Sequence, residues 1–405
     1  MQQKLANERR APATTTLVVM AATGALAMNI FLPSLPGMAR YFDTSYAVVQ
    51  LTVSLYLAAT AVLQLVIGPL SDRYGRKPVL MVALTIFLIS TLAAIFAPTI
   101  ETLIVCRLFQ ASAAAGMVLS RAIVRDTVNH IDEAASKIGY VTMGMALVPM
   151  IGPVIGGVAD EAFGWKSTFI LTFGFGLLAM SLVAYDLKET NLHRSASLRA
   201  QIAAYPELLT SRRFWGYTLT AAFGSGSFFA FLGGGPFVAT EMLGLSPSQY
   251  ALYFAILSFG YMIGNFISGR FSRRIGNNPM MLIGNVLGVF GVLAALVLLW
   301  LGYFHAATMF SPIFFVGFGN GMTLPNANAG QVSVRPHLAG SASGLGGTIQ
   351  ISCGAILAFL GAALLSVEAG PQPLFLLMLA SSTTAVAASF YVIYVNRKAA
   401  DRGEL

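Results

Sequence analysis

The chain has 405 residues, 56% of them hydrophobic and only 10% charged, with a formal net charge of +8. A mean hydropathy of +0.74, and a charged fraction far below the roughly 25% of soluble domains, exclude an ordinary water-soluble enzyme or binding domain. The two cysteines, Cys106 and Cys353, lie in apolar runs without ligand spacing, so packing is their expected role.

Read from the N-terminus, twelve apolar runs reach the roughly 20 residues needed to cross ~30 Å of hydrocarbon. Their approximate cores are 15–37, 47–69, 79–97, 102–124, 138–160, 167–186, 214–237, 248–270, 280–301, 306–328, 341–366 and 373–395. The first follows a polar basic tail and continues into Asn29, Pro33 and Pro36 without a small-residue cleavage pattern, so a removed leader is not expected. An even number of spans puts both tails on one side. On that map all but three of the 24 basic residues fall on the tail side; Arg40 and Lys166 lie opposite, and Arg107 lies within span four. The positive-inside rule then makes both termini cytoplasmic. The basic surplus is topological, and no nucleic-acid partner is expected.

Span one contains Ala27-Met-Asn-Ile-Phe-Leu-Pro-Ser-Leu-Pro36, with Asn29 near its middle, and span two contains Tyr56. After span two comes Gly68-x-x-x-Asp72-Arg73-x-Gly75-Arg76-Lys77. Its glycines permit a tight turn, Asp72 can lie at a neighbouring helix N-terminus, and Arg76 can pair with Asp126 at the end of span four. Topological charge accounts for the basic residues there, but not for the Asp and the paired glycines. Span four carries Arg107-Leu-Phe-Gln110-Ala-Ser-Ala-Ala-Ala-Gly116. An arginine inside a span is costly unless a cavity or a partner receives it, although snorkelling to the interface would also relieve it. Span five ends in Val148-Pro149-Met-Ile-Gly152-Pro153-Val-Ile-Gly156-Gly157, nine residues after Gly139. Small residues allow close helix approach in lipid, and the prolines bend the helix.

Residues 188–213 form the longest connection, polar and basic, with a surface-lying helix expected over 196–210 from Leu198, Ile202 and Leu208. It divides the chain into 1–190, a linker 191–212, and 213–405. Span seven places Phe228 and Phe231 three apart on one helix face. Tyr261, Asn320 and Gln350 follow near the middle of spans eight, ten and eleven. The hinge Gly68–Met81 returns 201 residues later as Gly269-Arg-Phe-Ser-Arg-Arg-Ile-Gly-Asn-Asn-Pro-Met-Met-Leu282, identical at five of fourteen positions. Gly233-Gly-Gly-Pro236 and Gly317-x-Gly-x-Gly321 lack a preceding strand and a Lys, so they read as helix hinges or packing faces rather than phosphate loops. His130, His193, His305 and His337 are scattered without metal spacing. No enzyme constellation, ATP-binding motif, cofactor motif or metal site stands out.

These patterns together resemble the major facilitator superfamily, whose membrane half is duplicated. The hinge is similar to that superfamily's loop motif. Arg107-x-x-Gln110 is similar to the span-four motif of its drug:proton antiporters, with Ala111 where Gly is usual. Span five looks like the signature of the same branch, with Val148 at a glycine position. Ala27–Pro36 and Arg121-Ala-Ile-Val-Arg-Asp126 resemble the bicyclomycin and chloramphenicol/florfenicol resistance exporters.

The resemblance implies an all-α membrane protein of twelve transmembrane helices in two pseudo-symmetric six-helix lobes, with a cavity lined chiefly by spans one, four, seven and ten. The implied cavity residues are Asn29, Tyr56, Arg107, Gln110, Phe228, Phe231, Tyr261, Asn320 and Gln350. A conformational latch of Gly68, Asp72, Arg73, Gly75, Arg76 and Asp126 closes the cytoplasmic side in the outward-facing state, and Gly152, Pro153, Gly156 and Gly157 form the antiporter helix. The implied activity is export of small amphipathic drug-like compounds by proton antiport and alternating access. It is carried out by a monomer in the lipid bilayer of a bacterial inner membrane, without a cofactor. Export of an endogenous metabolite and a non-transporting membrane sensor are the other readings, and a sensor should have lost the hinge and span-five patterns. One departure concerns proton coupling, assigned to Asn29 and Arg107. Related exporters carry Asp where Asn29 stands, and none of the sixteen Asp and Glu residues lies deep within a span. Either protons are handled elsewhere, or position 29 carries an Asp→Asn change that mimics the protonated carboxyl. The charge of Arg107 must then be met by water, carbonyls or an electron-rich ligand group. The Asn29 form is expected to bind substrate irrespective of protons and to transport poorly against a gradient.

Overall fold

Hydrocarbon offers the backbone no water, so a spanning segment has to satisfy its own amides, and a helix does so within one segment. The computed structural model describes residues 12–127, 131–191, 205–335 and 338–401, and each predicted span is helical there, with no strand among the described residues. We number the span helices α1 (Thr14–Tyr41), α2 (Tyr46–Tyr74), α3 (Arg76–Ile95), α4 (Ile100–Val124), α5 (Ile131–Phe163), α6 (Lys166–Asp186), α7 (Arg212–Met242), α8 (Pro247–Ile275), α9 (Asn277–Trp300), α10 (Phe314–Ser333), α11 (Ala339–Ala363) and α12 (Gln372–Asp401). Ten of them are long and apolar enough to cross a membrane by length and composition. The other two are α5 and α10; α10 carries buried Asn320, Asn326 and Gln331 and follows a separate helical turn, Ala306–Phe310.

Three rods change pitch where the chemistry demands it. α1 passes through a 3₁₀ turn at Leu32–Ser34, beside Pro33 and Pro36, which remove amides from the α-helical ladder. α4 tightens at Ala111–Ala113, and α7 widens into a π turn at Val238–Met242 just after Pro236. Large apolar side chains such as Ile89, Phe96, Ile170, Phe266, Phe290, Ile356 and Phe390 point outward. Water does not tolerate apolar cover on that scale, and lipid does.

The chain forms two compact units, Met1–Thr44 with Ala58–Ile202, and Ser45–Leu57 with Ala203–Leu405. In the first, α1 packs on α4, α5 and α6, and α3 packs on α4 and α6. In the second, α7 packs on α10, α11 and α12, and α9 packs on α10 and α12. Adding six to each helix number of the first set gives the second, so the repeat seen in two hinges extends to helix packing. The first turns of α2 belong to the second unit, where the Tyr46 hydroxyl donates to the Gly233 carbonyl at 2.7 Å.

Buried polar side chains join helices in the second unit. Asn285 of α9 donates to Ser389 Oγ of α12 at 2.9 Å and accepts from Thr323 Oγ1 of α10 at 3.2 Å. Asn326 of α10 donates to Ser268 Oγ of α8 at 2.8 Å. Such bonds hold helices together where lipid supplies no hydrophobic drive between them. The Gly317-x-Gly-x-Gly321 run is a packing face: Gly317 and Gly321 lie on α8 backbone and Gly319 on that of α9.

Candidate functional site

Lipid has nothing to offer an arginine in the middle of a span, so the protein must meet it. Arg107 is 1% exposed. Its Nη1 donates to the Ala27 carbonyl of α1 at 2.9 Å and to Gln110 Oε1 at 2.7 Å. The guanidinium lies 4.3 Å from the centroid of Phe31, within cation–π range. Gln110 passes the chain to α3, donating to Thr91 Oγ1 at 2.8 Å, and the Thr91 hydroxyl donates to the Phe87 carbonyl at 2.6 Å. Arg107 therefore does not snorkel. A carbonyl, an amide and a ring face share its charge, and the chain of bonds ties α1, α3 and α4 at one depth.

Asn29 sits two residues beyond Ala27 and turns towards α5. Its Nδ2 donates to the Ala25 carbonyl at 2.7 Å, while its Oδ1 is buried and accepts no hydrogen bond among the described residues. A Cβ at Gly152 would come 3.9 Å from Asn29 Cβ, and one at Gly156 would strike the Ile30 carbonyl oxygen. The glycines of span five are thus the seat of α1 at the position where the polar residue stands. Asn29 and Arg107 share no hydrogen bond among the described residues.

The remaining cavity candidates are spread over the second unit. Tyr56 is buried in the part of α2 that belongs there. Phe231, 1% exposed, stacks on Phe254 (6.2 Å, 14°) and meets Phe310 edge-on, so its ring is enclosed by α8 and the 306–310 turn. Phe228 is half-buried against Phe229 and Phe254. Gln350 of α11 donates to Ser225 Oγ of α7 at 3.2 Å. Asn320 is buried, and Tyr261 is half-buried where α8 meets Gly321 of α10.

The hinge forms a second cluster. Arg76, 4% exposed, donates from Nε to Asp126 Oδ2 at 2.9 Å, and its Nη1 reaches Asp72 Oδ1 and Ser71 Oγ, both at 2.5 Å. The Arg76–Asp126 pair expected from sequence is present. The N-terminus of α3, however, is held by Glu189 and not by Asp72. Glu189 Oε1 accepts from the Arg76 amide at 2.9 Å and Oε2 from the Lys77 amide at 3.2 Å. Asn191 completes the cluster by donating to the Asp72 carbonyl at 2.8 Å. Gly75 has φ +103°, and a Cβ there would collide with the Glu189 carboxylate, so the turn requires glycine twice over. Arg73 lies over the Tyr74 ring, and Gly68 faces open space.

In the second copy Gly276 has φ +91° and its amide donates to Ser272 O, as that of Gly75 does to Ser71 O. The charges are not repeated. Arg273 and Asn277 stand where Asp72 and Arg76 do, and Tyr217 donates to Asn278 Oδ1 at 3.0 Å. His130, His193, His337 and residues 196–204 of the expected linker helix lie outside the described residues.

Known proteins resemble this chain in sequence and in fold. Residues 17–351 match the family model described as Major Facilitator Superfamily. The chain is 33% identical over 351 residues to an MFS-type transporter, YdgK, of Bacillus subtilis, covering 84% of this chain and 86% of that one. It is 29% identical to a chloramphenicol resistance protein of Pseudomonas aeruginosa (82% and 80% covered) and 29% identical to a bicyclomycin resistance protein homolog of Haemophilus influenzae (88% and 90%). A crystal structure of a bacterial homolog of the human lysosomal transporter Spinster superposes with a TM-score of 0.70 over 95% of this chain and 96% of its own, at 15% identity. That last likeness concerns the fold alone.

Proposed function

Because the chain belongs to the Major Facilitator Superfamily, and is a multi-pass membrane transporter, we propose that it exports small amphipathic drug-like compounds across a bacterial inner membrane by proton antiport. The observation that carries this reading is the seat of α1 on α5. The Gly-Pro-x-x-Gly-Gly helix lies against Asn29 and Ile30, in a chain whose relatives over most of their length are named for chloramphenicol and bicyclomycin resistance. Two lobes, 1–190 and 213–405, joined by the linker 191–212, rock as a monomer around a central cavity, with both termini cytoplasmic. Arg107 supplies the cavity's fixed positive charge, and Gln110 and Phe31 hold it in place. Arg76, Asp72 and Asp126 favour one lobe arrangement over the other.

A growth-inhibition panel across antibiotic classes, with and without expression of the chain, tests this reading. Expression of Asn29→Asp should raise tolerance to chloramphenicol-like or bicyclomycin-like compounds several-fold over the Asn29 chain, and adding Arg107→Ala should abolish that rise. No shift with any class would remove drug export and favour an endogenous metabolite as cargo.

A further inference from the structure

At the end of the second unit where α7 begins and α12 ends, a cavity of about 530 Å³ opens between the two helices. Four cations line it: Arg212 and Arg213 from α7, Arg335 from just beyond α10, and Lys398 from α12, with Tyr391 and Tyr394. Positive-inside topology explains the presence of basic residues at this end. It does not explain four of them converging on one concavity. Among the described residues their fixed partners offset little of the charge. Arg335 Nε pairs with Glu207 Oε1 at 2.8 Å, with both side chains nearly half exposed. Arg213 Nε donates to the neutral Asn396 Oδ1 at 2.8 Å, and Lys398 lies 6.0 Å from the Tyr394 ring.

We propose that this cavity binds the phosphodiester headgroup of an anionic phospholipid. The order of side chains along α12 selects a lipid over a free anion. Phe390, Tyr394 and Lys398 recur every four residues and so form one stripe of the helix; all three are exposed. From the helix interior towards its end, that stripe runs from apolar ring to amphipathic ring to cation. An acyl chain, a glycerol ester and a phosphate succeed one another in the same order at a membrane surface. Tyrosine belongs at the headgroup level because its ring is apolar and its hydroxyl wet. Guanidinium forks match phosphate oxygens two at a time, so Arg212 and Arg213 suit a phosphodiester better than a diffuse anionic surface would require. Basic pockets at helix ends recognise anionic headgroups on the same physical grounds.

The test uses the purified full chain in neutral detergent, titrated with phosphatidylglycerol, with phosphatidylcholine, and with inorganic phosphate. Bound lipid is counted by native mass spectrometry, and the unfolding midpoint is followed in parallel. Phosphatidylglycerol should bind and raise the midpoint, whereas phosphatidylcholine at equal mole fraction should do neither. Arg212→Gln with Lys398→Gln removes two charges that hold no ion pair among the described residues. Each basic residue near an anionic surface contributes roughly a fivefold preference, so affinity for phosphatidylglycerol should weaken about thirtyfold. If the double variant does not fold, Arg212→Gln alone should weaken binding about fivefold, and raising the salt concentration should weaken it in the unmodified chain. Equal binding of both lipids, or an unchanged affinity in the variants, would overturn the proposal. Stabilisation by inorganic phosphate equal to that by phosphatidylglycerol would also overturn it, in favour of a free-anion site.

Discussion

Arg107 shows how much a single residue in an apolar run can announce. A charge inside a span is rare and costly, so its need for a partner could be read from sequence, and the structure supplies Gln110 one turn on. Thr91 gave no such signal, because a hydroxyl in a span can bond its own helix, as Thr91 also does to Phe87. Glu189 was equally silent: a carboxylate just after a span looks like any loop charge until its two amide partners are seen. Arg107→Lys keeps a cation but loses the planar guanidinium, which lies over the Phe31 ring while its Nη1 serves both Ala27 and Gln110. Export by this variant should fall at least tenfold, and full export from it would show that charge alone suffices. Glu189→Ala exposes two α3 amides and should cost about 1 kcal/mol. That appears as a lower unfolding midpoint, which Glu189→Gln partly restores. An unchanged midpoint in the alanine variant would mean that other groups cap the helix.

At the level of the element, hydropathy made the spans legible, because only a helix satisfies twelve long apolar runs in lipid. The α1 break could be foreseen from Pro33 and Pro36, but the tightening at Ala111–Ala113 could not, since no proline or glycine lies within it. Phe228 and Phe231 share a face as their spacing implies, yet Phe231 is enclosed by Phe254 and Phe310. Three-residue spacing cannot tell a lining ring from a packing one. The α1–α5 seat yields a paired prediction. Gly156→Ala forces a methyl onto the Ile30 carbonyl and should cost about 1–3 kcal/mol by overpacking. Gly152→Ala meets only ordinary contacts, 3.5 Å from Leu26 Cδ1, and should be tolerated. Unfolding midpoints in detergent read both, and equal effects would mean that α1 and α5 are not in close register there.

For the molecule as a whole, the recurrence of the hinge after 201 residues foretold a duplication, and the structure carries it into matching glycine turns and matching helix pairs. What the repeat could not convey is that its second copy abandons the ion pairs, since Arg273 and Asn277 replace Asp72 and Arg76. Among the described residues, the hinge ion pairs therefore occur in the first copy alone. Asp72→Asn removes one of two carboxylates on Arg76, and if the hinge acts as the proposed latch it should slow turnover while leaving substrate affinity within about twofold. Weakened binding with an unaltered transport cycle would place Asp72 in the substrate site.

Drug export coupled through residues 29 and 107 is the central claim. It is tested most directly by following labelled chloramphenicol in everted vesicles under an imposed pH gradient, for the Asn29 chain, Asn29→Asp and Arg107→Ala. The Asn29 chain should speed equilibration over protein-free vesicles with little net accumulation. Asn29→Asp should add pH-dependent accumulation, and Arg107→Ala should do neither. Strong gradient-driven accumulation by the Asn29 chain, or equilibration no faster than in protein-free vesicles, would contradict the account.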